Sequence, residues 1–170
     1  MWVEGDLSMS LSDKDIASAI EKGELRIVPR GFRLNPAGVD LRIDRDVRLK
    51  PKQQVLVASM ERVELSNRIV GFLHLRSSLA REGLIASLAL VDPGFRGQLT
   101  VSLYNSGDSA VNLAKGERFI QLSLLRLGKP AINKYAGRYQ NSTGVVASRR
   151  QEKRSHTPKI MESVIQGTRG

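Results

Sequence analysis

The sequence predicts a mainly β fold, an antiparallel jelly-roll or distorted barrel with one or two short helices. The first observation is the pattern of residues 25–127, where short strand-like segments follow one another closely between turns rich in Pro, Gly and Asn. The second is that apolar residues at clear helical spacing occur near the N-terminus and then give way to strands. Strands that do not alternate with helices favour antiparallel pairing over a parallel α/β sheet.

The first element is a short helix, predicted over residues 13–22. Ser12 is a typical N-cap, and Asp15 stands where the reciprocal acid of a capping box belongs. Apolar residues at helical spacing follow at Ile16, Ala19 and Ile20. Gly23 supplies a stop, because glycine readily adopts the left-handed conformation that ends helices.

Strand-like segments make up most of the chain between this helix and residue 127. Two short ones, at residues 25–29 and 38–43, are broken by Pro and Gly. Further strands are predicted over residues 47–49, 54–58, 62–64, 69–75, 85–91, 98–104, 111–113 and 119–127.

A second short helix is predicted over residues 77–83, where the strand pattern is interrupted. Ser77 or Ser78 can cap its start, and Gly83 can end it. The free N–H groups at its start lie beside Arg76, whose guanidinium has forked donors. This combination is suited to binding phosphate.

The length of 170 residues, 41% of them hydrophobic, is enough for one domain with a core and too short for two. We expect residues 1–149 to form this domain and residues 150–170 to form a basic tail that is flexible or partly helical. No apolar run reaches the length of a membrane helix, and the N-terminus lacks the apolar core of a signal peptide. We therefore expect a cytoplasmic protein without a membrane partner.

The cysteine and histidine content excludes several kinds of site. The chain has no cysteine, which excludes disulfides, thiol catalysis and the thiolate ligands of a zinc-dependent nucleobase deaminase. His74 and His156 are far apart in sequence, so a histidine metal site or a Ser-His-acid triad is not favoured.

The formal net charge of +10 favours an anionic partner. From Arg149 onward the chain has six basic residues and two acids, so the tail carries about four of these charges. A nucleoside triphosphate and a nucleic acid are both candidates. Aromatic residues make up only 5% of the chain, which leaves little material for a base-stacking surface and makes nucleic acid the less favoured partner.

The stretch from Leu90 to Asn105 combines a carboxylate with a turn. An apolar run ends at Asp92, the chain turns through Pro93 and Gly94, and an alternating strand comes next. We interpret this as a hairpin with an acid at its neck, in which Gly97 allows the backbone to approach a ligand closely. The alternative is an ordinary hairpin whose acid only accepts backbone hydrogen bonds.

Five segments in order resemble the signatures of the trimeric dUTPase and dCTP deaminase superfamily. They are Pro36-Ala37-Gly38-Val39-Asp40-Leu41, Leu75-Arg76-Ser77-Ser78-Leu79-Ala80-Arg81-Glu82-Gly83-Leu84, the stretch 90–105, Gly116-Glu117-Arg118-Phe119-Ile120-Gln121-Leu122, and the segment 135–144 that begins Tyr135-Ala136-Gly137-Arg138-Tyr139-Gln140. Any one match is weak, whereas five in the same order are specific. The resemblance implies a trimeric dUTPase-type fold, a homotrimer with shared active sites, and a bound Mg²⁺ held mainly through substrate phosphates and water.

The resemblance also implies a role for each signature. Asp92 matches the base that activates water in dUTPases. Phosphate binding falls to Arg76, Ser77, Ser78 and Gln121, and to Arg138, Tyr139 and Gln140 of a closing arm over residues 135–149. Phe95 matches an aromatic residue that packs on deoxyribose, while Gly97, Leu99, Thr100 and Val101 are expected around the base. Asp40 and Arg81 are expected to contact and position these groups without touching the substrate themselves.

One position separates the two activities of the superfamily. The dCTP deaminases use a glutamate ten residues after the matching Asp as a proton shuttle, and this chain has Ser102 there. A serine without a neighbouring base has neither the charge nor the pKa for that step. The sequence therefore predicts a dUTP diphosphatase. The alternatives are a dCTP deaminase, alone or bifunctional, and a non-catalytic nucleotide- or nucleic-acid-binding relative.

Overall fold

The computed structural model describes residues 10–151, and it confirms the predicted mainly β, antiparallel fold. The predicted tail over residues 150–170 lies almost wholly outside the described residues. The helices are α1 (Asp13–Glu21) and α2 (Ser77–Arg81). The strands are β1 (Leu25–Val28), β2 (Arg33–Asn35), β3 (Gly38–Arg42), β4 (Val47–Leu49), β5 (Gln54–Leu65), β6 (Ile69–Leu75), β7 (Leu84–Ser87), β8 (Leu90–Val91), β9 (Arg96–Asn105), β10 (Val111–Leu113) and β11 (Arg118–Arg126).

The described strands form three sheets and no closed barrel. One sheet has the order β1-β5-β9-β7, another has the order β2-β3-β11-β6-β8, and β10 pairs with β4. All of these pairs are antiparallel. The inward-facing residues of both larger sheets belong to one hydrophobic cluster, so the architecture is that of a distorted jelly roll.

Helix α1 forms as the sequence predicts. The Ser12 hydroxyl accepts a hydrogen bond from the backbone N–H of Asp15, and the Asp15 carboxylate accepts one from the backbone N–H of Ser12. The helix buries Ile16 and Ala19 in the core. It ends at Gly23, whose φ of +70° is the left-handed conformation expected after a helix.

Strand β5 joins two segments that are predicted as separate strands. The predicted strands at residues 54–58 and 62–64 are one continuous strand, and its pairing with β9 shifts register between Ala58 and Arg62. Such a bulge bends a strand without ending it, which the apolar pattern alone does not reveal. Within it, Glu61 is fully buried, and its carboxylate accepts hydrogen bonds from the backbone N–H and the Nε of Arg42, at 2.8 and 2.6 Å.

The predicted hairpin around Asp92 is wrong. The predicted strand over residues 85–91 is two strands: β7 pairs with β9, and β8 pairs with β6 in the other large sheet. The turn after β8 therefore carries the chain from one sheet to the other. A continuous apolar run cannot show this, because the two strands are separated by only two residues, Leu88 and Ala89.

Two smaller elements also differ from the prediction. The predicted serine cap of α2 is wrong, because Arg76 is the N-cap and no side chain makes a capping hydrogen bond. Both serines lie inside the first turn. Strand β2 has no predicted counterpart because its three residues are largely exposed and show no apolar alternation.

We expect Arg42→Ala to lower the free energy of unfolding by about 3–5 kcal/mol, because it leaves the buried Glu61 carboxylate without its charged partner. Urea denaturation at neutral pH measures this difference. The matched control is Arg48→Ala, at an exposed position of β4, where we expect a change within about 0.5 kcal/mol. Equal midpoints for the two variants would contradict the role of the Arg42–Glu61 pair.

Candidate active site

The turn after β8 fixes the position of Asp92. Pro93 occupies the second position of this turn and Gly94 the third, with φ of +86°, as a type II turn requires. The N–H of Phe95 donates to the carbonyl oxygen of Asp92 at 3.0 Å. Asp92 consequently lies where the chain leaves one sheet for the other.

A cavity of about 460 Å³ opens beside this turn. Its lining brings together Asp92, Phe95, Leu99 and Thr100. Strand β5 and the arm contribute further walls through Gln54, Leu56, Tyr139 and Val146. The cavity thus joins a carboxylate to mainly apolar walls, which is a typical composition for a small-molecule site.

The predicted base- and sugar-binding residues divide between cavity and core. Leu99 and Thr100 line the cavity, whereas Gly97 and Val101 do not appear in its lining. Val101 is 1% exposed, on the core face of β9. The backbone N–H of Leu99 donates to the Ser59 hydroxyl at 2.9 Å. The backbone donor of Leu99 is therefore already paired within the protein.

The arm lies along β9 of its own chain. Residue Ser142 pairs with Gly97, accepts from the N–H of Gln98 at 2.9 Å and donates from its hydroxyl to the Gln98 carbonyl oxygen at 2.7 Å. Two further N–H donors bind side-chain oxygens of β9: Gly144 to Gln98 at 2.7 Å, and Val146 to Thr100 at 3.1 Å. These contacts close one side of the cavity.

The side chain of Gln140 anchors the arm to the turn. Its Nε2 donates to the carbonyl oxygens of Gly94 and Tyr135, at 2.9 and 3.1 Å, and its Oε1 accepts from the N–H of Arg96. The amide predicted to bind phosphate is thus engaged by the protein backbone. Its contacts tie the start of the arm to the turn beginning at Asp92.

The other predicted arm residues contact the end of the described chain. Arg138 donates from Nη1 to the carbonyl oxygens of Arg149 and Arg150, and Arg149 donates from its backbone N–H to the Tyr139 hydroxyl. The Arg138 Nε is buried and has no hydrogen-bond partner among the described residues. Tyr139 lines the cavity, whereas Arg138 does not.

Tyr135 connects the arm to the ring of Phe95. The two rings meet edge to face, with centroids 5.6 Å apart. Burial raises the pKa of the Tyr135 phenol, and the charge of Asp92 adds to this increase, while the N–H of Tyr139 that donates to its oxygen acts in the opposite direction. The phenol is therefore protonated at neutral pH.

The predicted phosphate ligands form a second group around Asp40. This carboxylate is 4% exposed; its Oδ2 lies 3.3 Å from Nη1 of Arg118 and 3.7 Å from Nη1 of Arg76. Asn35 donates to the other oxygen at 2.8 Å. Gln121 pairs with Asp40 across β11 and β3. Two guanidinium groups on one carboxylate leave a net positive charge, which suits an anion.

Helix α2 carries the remaining predicted residues of this group. Ser77, Ser78 and Arg81 are exposed on it. Of the four phosphate ligands predicted outside the arm, none lines the cavity at Asp92 in the described part of the chain. One chain thus presents the carboxylate cavity and the basic cluster as separate groups.

Two residues of these sites are absent from the sequence-based assignment. Arg118 lies in the fourth signature, and its spacing from Gln121 could have indicated it, but only the fold shows that it shares Asp40 with Arg76. Gln54 has no sequence signal. It lines the cavity and donates from Nε2 to the Ser102 hydroxyl at 2.7 Å.

The donors near the cavity bear on the expected Mg²⁺. Within residues 10–151, no three His, Asp or Glu side chains lie close enough together to hold a metal ion. The Asp92 carboxylate is a hard oxygen donor of the kind that Mg²⁺ prefers, and Mg²⁺ often has few protein ligands. The donor set therefore fits an ion carried mainly by phosphates and water.

No described helix is long and apolar enough to cross a membrane.

Comparison with known proteins gives one family match and named relatives. A family model described as dCTP deaminase-like matches residues 43–127. A Pyrococcus furiosus protein named dCTP deaminase is 42% identical over 134 residues, covering 70% of this chain and 86% of the relative. A protein of Sulfolobus islandicus rod-shaped virus 1, named a probable deoxyuridine 5′-triphosphate nucleotidohydrolase, is 38% identical over 157 residues, covering 83% of this chain and 99% of the relative.

A solved structure supports the fold. A mutant dUTPase from phage phi11 of S. aureus, which coordinates a structural Mg(II) ion, matches with a TM-score of 0.56 and 17% identity. The match covers 66% of this chain and 97% of that one. At this identity the likeness concerns the fold alone.

We expect Gly97→Ala to loosen the arm. An added Cβ would lie 2.6 Å from the Ser142 Oγ and 3.0 Å from its backbone nitrogen, at a φ of +155° that side chains rarely adopt. Loss of one or two of the hydrogen bonds between the arm and β9 predicts amide exchange about tenfold faster over residues 142–146. Hydrogen–deuterium exchange measures this.

The control for this variant is Gly128→Ala, where an added Cβ meets no atom within 4 Å. We expect its exchange over residues 142–146 to match that of the unsubstituted protein. An unchanged rate in Gly97→Ala would show that the arm is not held by its contact with β9.

Proposed function

The chain belongs to the dCTP deaminase-like family, and on that premise we propose that it hydrolyses dUTP to dUMP and diphosphate. The observation that carries the proposal is the combination of two positions, one in the cavity lining and the other in contact with the lining residue Gln54. Asp92 offers a carboxylate to the cavity, whereas the position of the deaminase proton shuttle is Ser102. Such a reaction removes dUTP from the nucleotide pool and supplies dUMP for dTTP synthesis.

In this proposal Asp92 acts as the general base. Its carboxylate takes a proton from a water molecule, whose oxygen forms a bond to the α-phosphorus. The bond from that phosphorus to the oxygen bridging the α- and β-phosphates breaks, and diphosphate leaves with the electron pair. The turn fixes the backbone of Asp92, which limits the positions its carboxylate can take relative to the water, and a general base needs to be positioned in this way.

The cavity walls supply selectivity for a deoxyribonucleotide. Phe95 is 7% exposed, and its position is held by the edge of the Tyr135 ring. An apolar ring beside the sugar offers no partner to a 2′-hydroxyl, so a ribonucleotide would bury that group unpaired. We assign Leu99 and Thr100 to the base and sugar pocket. Gly97 and Val101 then support the pocket from the backbone and the core.

The phosphates require groups from a second chain. Asp92 and the basic cluster of Arg76, Arg118 and Gln121 are separate on one chain, so we propose a homotrimer in which the cluster of one subunit faces the cavity of its neighbour. Asp40 holds Arg76 and Arg118 in place by charge. Ser77 and Ser78 on α2 add hydroxyl donors.

We assign Arg138 and Tyr139 to closure over the phosphates, and Gln140 to anchoring the arm. Mg²⁺ bound to the substrate would neutralise charge on the phosphates. Asp92 would share in holding this ion through a water molecule. No cluster of carboxylates is required for that.

The second candidate function is deamination of dCTP, which the name of the Pyrococcus furiosus relative favours. That reaction needs a group to move a proton while water attacks the base. Ser102 and its partner Gln54 are both uncharged at neutral pH, so neither can act as this shuttle. A deaminase would need another acid in the cavity.

The decisive experiment incubates the protein with dUTP or dCTP, with Mg²⁺ or chelator, and separates the products chromatographically. We expect dUMP and diphosphate from dUTP and no change in dCTP. Asp92→Asn should reduce kcat by about 10²–10⁴-fold, because the base is lost. The control Asp108→Asn changes an exposed carboxylate outside the cavity lining and should leave kcat unchanged.

Two outcomes would contradict this assignment. Formation of dUTP or dUMP from dCTP would show that deamination proceeds without a glutamate at position 102. Absence of turnover of both nucleotides would favour a non-catalytic binding protein.

We expect two inactive variants to complement each other if the site is shared. Co-expressed Asp92→Asn and Arg76→Ala chains should regain about a quarter of the wild-type activity, because random assembly pairs an intact cavity with an intact neighbouring cluster at about one site in four. Activity per site, measured on purified mixed oligomers, tests this.

The control mixes Asp92→Asn with the double variant Asp92→Asn/Arg76→Ala, in which no intact cavity exists. It should remain inactive. Failure of the first mixture to recover, with mixed oligomers verified by mass spectrometry, would place the whole site within one chain.

A further inference from the structure

A second cavity, of about 780 Å³, lies between α1, β1 and the turn at Gly94. It takes no part in the proposed reaction. Four basic side chains line it, Arg26, Arg30, Arg96 and Lys134, and we call this cavity the basic groove. Elements distant in sequence meet here, which no sequence pattern indicates.

The charges of the basic groove are poorly balanced. Glu64 is the one acid in its lining; it lies 3.0 Å from Nε of Arg62 and 4.0 Å from Nη1 of Arg26. The side chains of Arg30, Arg96 and Lys134 are exposed and have no ion-pair or hydrogen-bond partner among residues 10–151. Three cations therefore face one concave surface without compensation.

Such a surface has the chemistry of a site for phosphate groups. Like charges around a concavity reinforce one another and concentrate positive potential there. Guanidinium groups match phosphate oxygens with paired donors, and an ammonium adds a point charge. Ile20, Leu65 and the ring of Tyr135 supply apolar wall beside the cations, so one end of a ligand can be uncharged.

We propose that the basic groove binds a polyphosphate chain, as carried by a nucleoside triphosphate, at a site separate from the candidate active site. The volume and the mixed apolar and basic walls suit a nucleotide better than an isolated phosphate. The proposal is independent of which reaction the chain catalyses.

The basic groove also shares structure with the candidate active site. Tyr135 lines both cavities, and Gln140 of the groove holds the carbonyl oxygen of Gly94 two residues after Asp92. A ligand in the groove thus contacts the anchor of the arm. Any coupling between the two sites would run through these shared residues, and each ligand would then alter the affinity for the other by the same factor.

The test is isothermal titration calorimetry of the full chain with ATP and, separately, with sodium tripolyphosphate. We expect Arg30→Ala/Lys134→Ala to weaken binding of both probes at least about tenfold, because two charged contacts to phosphate are lost. The control Lys14→Ala/Lys115→Ala removes the same net charge at exposed positions outside the groove and should bind as the unsubstituted protein does. Circular dichroism checks that each variant is folded.

A third variant, Arg76→Ala, separates the groove from the candidate active site. We expect it to bind ATP unchanged. Loss of ATP binding in Arg76→Ala together with normal binding in Arg30→Ala/Lys134→Ala would overturn the proposal, as would equal weakening in the lysine control or no binding of either probe. Equal affinity for the two probes would assign recognition to the phosphate chain, and tighter binding of ATP would add the nucleoside.

Discussion

The passage of the chain between the two large sheets, at residues 92–95, is the constraint on which the site depends. The backbone of β8 is paired in one sheet and that of β9 in the other, so the turn between them has little freedom. Its glycine has a φ of +86°, which most residues avoid. A carboxylate at the start of such a turn is held at the boundary of two layers. That rigidity fixes the backbone from which the Asp92 side chain projects.

The bulge in β5 extends this rigidity to the cavity wall. Within the bulge, the Ser59 hydroxyl accepts the N–H of Leu99, and the carbonyl oxygen of Ser59 accepts from the Gln98 amide. The same Gln98 side chain accepts the N–H of Gly144 in the arm. A chain of hydrogen bonds thus runs from the buried bulge through β9 to the arm. The start of the arm packs against Phe95 through Tyr135, whereas the segment 142–146 is held along this path by hydrogen bonds, which are individually weak in net free energy. It is therefore the part of the cavity best suited to open.

Local chemistry accounts for what the sequence could predict. The capping box at Ser12, the alternation of β9 and the glycine after α2 act over a few residues, so their residue types indicate the structure directly. The pairing partner of each strand cannot be predicted in this way, because it depends on residues that are distant in sequence. The run from Leu84 to Val91 is apolar except for Ser87, and only the tertiary fold divides it between sheets. Likewise, Arg118 and Arg76 are far apart in sequence, and the carboxylate of Asp40 that they share is visible only once β3, β6 and β11 are paired.

The division of the site explains why its charges are arranged as they are. Asp92 and the phosphates of the proposed substrate repel each other, so positive charge is needed between them. On one chain, Asp40 rather than Asp92 pairs with Arg76 and Arg118, which leaves one positive charge uncompensated. Assembly would bring that charge to the cavity only across a subunit boundary, where the anionic substrate can occupy the space between base and cations. The charge of the cavity also bears on Ser102 and Gln54, whose side chains are both uncharged at neutral pH. A carboxylate at position 102 would place a second negative charge beside Gln54, next to the cavity that holds Asp92. The proposed hydrolysis of the phosphate chain needs no such charge, whereas deamination of the base does.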